Sequence, residues 1–175
     1  DMVLFRNFLD QYSDVFNVPQ NEIQVLGCKS WEAVSDEAFS GYRVFCIDEH
    51  AYAKRLIYRI WVNLRVRRWN VAITVCDAYF RRALMADSLA YVASAPRTIM
   101  ALPYINGDTH AEFSWYLGQV SDVIDTGPYP RHEIERHAAF TAFFSGTTPA
   151  PSPPRLTWRD KPPTMLNDRP YMLFN

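Results

Sequence analysis

The chain has 175 residues, a net charge of -1, 49% hydrophobic residues and 15% aromatic residues. This length suits one domain, the composition excludes a disordered chain, and the charge gives no general reason to expect nucleic-acid or membrane binding. Arginine outnumbers lysine by 15 to 3; this bias favours ion pairs and protein interfaces, and a GC-rich genome would produce it too. The three cysteines, Cys28, Cys46 and Cys76, lack CxxC spacing, so we expect an intracellular protein, cytoplasmic or nuclear, without a disulfide framework.

The first 47 residues are predicted to form one helix and a connector. Apolar residues recur at helical spacing from Val3 to Tyr12, which predicts an amphipathic helix over residues 2–14. Two later segments, Glu22 to Leu26 and Tyr42 to Ile47, are read as short strands or as extended connectors.

Residues 48–145 are predicted to form a bundle of five helices. Asp48 is a suitable N-cap for a helix through Leu64, and the apolar stripe of this helix is expected to face the core. That stripe consists of Tyr52, Leu56, Ile57, Ile60, Trp61 and Leu64. The remaining helices are predicted over about 68–85, 87–102, 108–125 and 130–144. The predicted fold class is therefore mainly α, a single five-helix bundle with an N-terminal helix.

Residues 146–175 are predicted to be an extended tail, because seven of the twelve prolines lie there and proline neither continues a helix nor donates a hydrogen bond. Aromatic and aliphatic residues punctuate this segment. We expect it to wrap the domain or to lie on a partner; a polyproline ligand segment is the alternative.

Catalytic and metal-binding motifs are not recognisable. His132 and His137 are five residues apart, which separates them by roughly 140° around a helix, whereas a zinc-protease helix needs two histidines four apart. We expect both to lie on a solvated face. Cys28 is the only nucleophile to consider. We therefore predict a protein that is not an enzyme and that binds no cofactor or metal.

A cluster of arginines is the basis of a nucleic-acid alternative. Its members are Arg65, Arg67, Arg68, Arg81 and Arg82. As a phosphate-contacting patch it would be modest, and we expect solvated arginines, or arginines paired with a partner's carboxylates, in preference to it.

Three segments match known helix patterns: residues 55–62 (RLIYRIWV), 71–80 (VAITVCDAYF) and 129–134 (YPRHEI). Together they resemble the cyclin box, in which the first helix commonly reads R-x-I-L-x-x-W-L and the second L-A-V-x-Y-x-D-R-F-L. The third segment is similar to the opening of the fifth helix of that family. The resemblance covers about 48–144 and is closest to the compact cyclins of the yeast phosphate-response type. The lysine that normally ends the third helix has no counterpart near Tyr104, so the resemblance leaves out the polar clamp used for kinase activation.

The resemblance implies a non-catalytic, protein-binding domain that docks a kinase of the cyclin-dependent type, or a scaffold, through helices three and five. The partner-binding residues expected on this basis are Tyr104, Glu133, Glu135 and Arg136. A viral structural or replication-protein fragment that self-associates is the alternative. Nucleic acid is not expected as a partner, and no apolar run is long enough to cross a membrane.

Overall fold

Helices and strands alternate along the chain in the computed structural model, which describes residues 2–147 and 149. The α-helices are α1 (Met2–Phe16), α2 (Ser35–Ala38), α3 (Glu49–Lys54), α4 (Leu56–Arg67), α5 (Ser88–Ala93), α6 (His110–Leu117) and α7 (Glu133–Ser145). The strands are β1 (Gln24–Cys28), β2 (Arg43–Ile47), β3 (Ile73–Cys76), β4 (Arg97–Ala101) and β5 (Asp122–Ile124). A π-helical turn, Ala83–Asp87, leads into α5. The predicted tail lies outside the described residues from position 150 onward.

All strand pairs in the described residues are parallel. β1 pairs with β2, and β4 lies between β3 and β5. Parallel strands are joined by crossover segments that cover the faces of the sheet, so both faces become buried.

Alternate strand residues enter two hydrophobic cores on opposite faces of the strand layer. In β1, Val25 belongs to a core that α1, α2 and α7 cover, whereas Leu26 packs against a core that α3, α4 and α5 cover. The first core joins Val25 of one sheet to Ile99 and Ile124 of the other. The two sheets therefore act as one layer between two layers of helices, the architecture of a doubly wound α/β domain.

The prediction of a mainly α, five-helix fold is wrong. The expected helix over 68–85 contains β3, and the expected helices over 87–102 and 108–125 each break after one short helix and end in β4 and β5. A buried parallel strand is a short, continuous apolar run, and periodicity alone does not distinguish such a run from part of a buried helix. The β-branched residues Ile73, Thr74 and Val75 were the signal for a strand.

The predictions near the two ends of the described chain are confirmed. The helix expected over 2–14 is α1, and the last expected helix corresponds to α7. The two segments left open as strands or connectors are β1 and β2. α1 and α7 pack side by side, and their ends meet where Phe16 contacts Phe144, with ring centroids 5.2 Å apart.

Candidate protein-binding surface

The apolar stripe of α4 faces away from the protein. Ile57 is 84% exposed and Trp61 is 48% exposed, whereas Val62 is fully buried. Val62 and Val66 lie roughly 140–180° around the helix from Ile57, and they pack α4 on the strand layer. We name the exposed stripe the α4 surface; it consists of Leu56, Ile57, Ile60, Trp61 and Leu64. The expectation that this stripe faces the core is therefore wrong, apart from Tyr52, which is buried.

Basic residues border the α4 surface. Between Ala51 and Cys76 the chain has six basic residues and no acidic residue. Arg65 and Arg67 are both exposed. Around the helix Arg65 lies about 40° beyond Trp61, at the edge of the stripe, and Arg67 lies about 20° from Ile60, at the C-terminal end of the stripe. A surface that is apolar at its centre and positive at its rim favours a partner with the opposite rim charge.

Aromatic contacts fix the α4 surface to the adjacent strand. The ring of Phe45, in β2, contacts Trp61 at 5.8 Å and Trp69 at 5.7 Å between centroids. The guanidinium of Arg65 lies 5.1 Å from the centre of the Phe45 ring. These contacts orient Trp61 and Arg65, so part of the surface is already ordered in the free protein.

The start of α4 is held by hydrogen bonds to α3. The Arg59 guanidinium donates to the carbonyl oxygens of Tyr52 and Ala53, at 2.9 and 2.7 Å. The Asp48 carboxylate accepts from the backbone N–H of Ala51 and thereby caps α3; this bond is the main reason that the pKa of Asp48 is lowered. The expected N-cap role of Asp48 is thus confirmed, although the helix that it caps ends at Lys54.

The residues predicted to bind a partner lie near the carboxyl ends of β4 and β5, but not all are exposed. Tyr104 is 43% exposed and packs against neighbouring rings. Glu135 is exposed and pairs with Arg131 at 3.4 Å. Glu133 is half-buried in the first turn of α7. Arg136 is fully buried, so its side chain is not accessible to a partner on this surface.

Arg136 instead stabilises the loop between β5 and α7. Its guanidinium donates to the carbonyl oxygens of Gly127 and Pro128 at 2.8 and 2.9 Å, and it lies 3.5 Å from the centre of the Tyr79 ring. Such a buried cation is stabilised by this set of acceptors and by the ring face.

The arginines of the nucleic-acid alternative do not form one patch. Arg65, Arg67 and Arg68 are exposed at the end of α4. Arg81 is buried in a two-point ion pair with Asp87, with distances of 2.8 and 3.0 Å. The basic surface that remains is the rim of the α4 surface and the exposed Arg82.

A buried polar network joins α1, β3 and α7. The Asp77 carboxylate follows β3 and accepts a hydrogen bond from the Tyr12 hydroxyl at 2.9 Å, and it lies 2.8 Å from Nδ1 of His137. Burial opposes the charged form of His137, but the hydrogen bond and the charge of Asp77 outweigh it and raise the pKa of His137. The expected solvated position of His137 is wrong, since the side chain is buried between the helices.

The chemistry of the cysteines does not favour nucleophilic catalysis. Burial, together with a hydrogen bond to Glu49, raises the pKa of Cys28 to about 11, so its thiolate is scarce at neutral pH. Burial also raises the pKa of Cys46 and of Cys76. Within residues 2–147 and 149, no group of three or more His, Cys, Asp or Glu side chains is placed to hold a metal ion. No helix in this part of the chain is long and apolar enough to cross a membrane.

Sequence reasoning missed the α4 surface because α4 is apolar on two faces. Periodicity identified the wider apolar face and assigned it to the core, whereas the narrower face with Val62 and Val66 is the buried one. The signal that was present is the absence of acidic residues from 51 to 76, which marks the rim of this helix as positive.

The fold defines the protein as a doubly wound α/β domain. No family model, no curated protein and no solved structure matches the chain.

Proposed function

We propose that this domain is a protein-binding module and that its α4 surface docks an amphipathic helix with acidic residues along its edges. The observation that carries the proposal is the exposure of Ile57 and Trp61 on a helix whose other face is buried. Large contiguous apolar patches with a polar border are typical of interaction sites on soluble proteins. Cyclin-like docking was expected between helices three and five. The expected helix three ends in β4, whereas the expected helix five is α7, so we place the docking surface on α4 instead.

The shape and charge of the surface select the partner. The stripe runs from Leu56 to Leu64, about 12 Å along the helix, and such a ridge packs well into the groove of another helix. Arg65 borders one edge of the stripe and Arg67 follows its C-terminal end, and both are exposed, so acidic residues that flank the partner's apolar stripe would pair with them.

A designed peptide tests the proposal. The probe is a fluorescein-labelled amphipathic helix about five turns long, with leucine at core spacing and glutamate on both flanks; the control peptide carries lysine in place of glutamate. We expect the acidic peptide to bind in fluorescence anisotropy and the basic one not to bind. Substituting Ile57→Ser should weaken binding by roughly 10–100-fold, which corresponds to the loss of one buried aliphatic side chain.

Two further variants make the result specific. Phe143→Ser is the matched control, because Phe143 is 54% exposed on α7, in the opposite helix layer; it should leave the affinity unchanged. The double variant Arg65→Glu, Arg67→Glu should reverse the preference toward the basic peptide. The proposal fails if both peptides bind equally well, if neither binds, or if the surface instead binds vesicles of anionic lipid or a second copy of the chain.

A further inference from the structure

The β2 strand lies at the end of the strand layer. The crossover from β1 to β2 uses α2, on the first face, whereas α3, α4 and α5, which connect β2 to β3 and β3 to β4, lie on the other face. Right-handed crossovers on opposite faces move in opposite directions across a sheet. β3, β4 and β5 therefore extend away from β2, and in the described residues β2 pairs with β1 alone.

The outer edge of β2 presents unused backbone groups. The Arg43 N–H donates to the Ile23 carbonyl, and the register pairs Arg43 with Gln24. In a parallel ladder, Arg43, Phe45 and Ile47 then direct their amide groups toward β1, and Val44 and Cys46 direct theirs outward. Among the residues that the structure describes, no hydrogen bond outside the β1–β2 ladder uses the backbone of Val44 or Cys46.

A groove runs along this edge. It has a volume of about 580 Å³ and is lined by Val44, Phe45 and Cys46 on one side and by the segment 32–42 on the other. The three strand residues are consecutive, so the groove follows the edge of the strand and not one face of it.

Side-chain contacts hold two residues of the opposite wall of the groove. Phe39 is almost fully buried and stacks on Trp31 with ring centroids 5.7 Å apart. The Tyr42 hydroxyl donates to the Asp10 carboxylate, and the Arg6 guanidinium lies 5.2 Å from the centre of the Tyr42 ring. Glu32 is exposed and lines the groove, where it adds negative charge.

We infer that β2 is a docking edge for an extended segment of a partner protein, which adds as a new strand beside Val44 and Cys46. Backbone hydrogen bonds to these two residues would supply the affinity, as in other cases of strand addition. Aliphatic side chains at alternate positions would pack beside Val44 and Cys46, in the groove that Phe39 also lines, and a basic side chain would pair with Glu32. This inference is independent of the α4 proposal, although both surfaces meet at Phe45.

A matched pair of variants tests the backbone contact directly. The probe is a labelled hexapeptide, acetyl-Val-Arg-Val-Thr-Val-Arg-amide. Val44→Pro and Val44→Ala both remove the valine side chain, but only proline removes the outward N–H. Proline is tolerated on an edge strand where that group faces outward. We expect the affinity of Val44→Ala for the hexapeptide to be within about threefold of that of the unchanged protein. The affinity of Val44→Pro should be at least about tenfold weaker.

A modified peptide keeps the test decisive even if Val44→Pro lowers the stability of the fold. A fully N-methylated form of the hexapeptide retains its side chains but has no backbone donors, so it should not bind. Glu32→Gln should lower the affinity for the unmodified peptide by a few-fold at low salt. The inference is overturned if the methylated peptide binds as well as the parent, if Val44→Pro and Val44→Ala behave alike, or if no peptide binds. A dimer that sedimentation detects and that Val44→Pro abolishes would also overturn it, because a second copy would then occupy the edge.

Discussion

From the orientation of α4 we expect substitutions at two apolar residues of this helix to change the free energy of unfolding by very different amounts. Val62 is fully buried and Ile57 is 84% exposed. Val62→Ala deletes two buried methyl groups, at about 0.8 kcal/mol each for lost burial and about a further 1 kcal/mol for the cavity that remains. We therefore expect Val62→Ala to lower the free energy of unfolding by about 2–3 kcal/mol. Ile57→Ala should change it by less than about 0.5 kcal/mol, because the side chain is already in water and alanine is the better helix former.

Urea unfolding followed by far-ultraviolet circular dichroism measures both values. Val66→Ala, at a second buried position of the same helix, should resemble Val62→Ala. The slope of the unfolding free energy against urea should be the same in all variants, which shows that only stability has changed. If Ile57→Ala destabilised the protein by 2 kcal/mol or more while Val62→Ala had little effect, α4 would be rotated, its wide stripe would be core, and the α4 surface would not exist.

Three other predictions follow from the buried polar groups. Because Asp77 raises the pKa of His137, the pair stabilises the fold below the ordinary histidine pKa, and this contribution is lost as the pH rises through the folded-state pKa. Unfolding free energies measured from pH 5.5 to pH 9 should show that loss, and the His137→Gln variant should lack this pH dependence. An identical pH dependence in both proteins would contradict the assignment. Asp87→Ala should lower the free energy of unfolding by about 3–5 kcal/mol, because it leaves Arg81 charged and without its ion-pair partner. The double variant Arg81→Met, Asp87→Leu should recover most of that loss in the same urea assay. An equal loss of stability in the double variant would argue against an ion-pair origin. With the pKa of Cys28 at about 11, roughly one thiol in a thousand is ionised at pH 8. Iodoacetamide should therefore alkylate Cys28 slowly at pH 8 and faster toward pH 11, measured by mass spectrometry of the modified peptide. Rapid alkylation at pH 7 would refute the raised pKa.

The two proposed surfaces meet at one residue. Phe45 lines the groove beside β2 and also contacts Trp61 of the α4 surface. A partner that supplies both an acidic helix and a following extended segment would therefore cover a continuous area. Phe45→Ala should weaken the binding of both probe peptides, whereas Ile57→Ser should weaken the binding of the acidic helical peptide alone.

Local signals in the sequence predicted α1 and α7, because in each helix the apolar residues recur at one helical period and form one face. The spacing of apolar residues in α1 and α7 is helical, and each helix packs one face on the strand layer and on its neighbour. Asp48 could be predicted as an N-cap, because capping depends on residues within one turn. The strands β1 and β2 were left open, since five residues are too few for periodicity to decide.

Only the tertiary structure decided the identity of β3, β4 and β5 and the direction of α4. β4 is buried along most of its length, β3 is half-buried throughout, and β5 has one exposed residue, Val123. Such short runs become strands when parallel neighbours satisfy their backbone. α4 has valines on one face and a wider stripe of leucine, isoleucine and tryptophan on the other. The strand layer buries the valine face. The larger side chains were left exposed, and hydrophobicity alone does not encode which of two apolar faces the fold will bury.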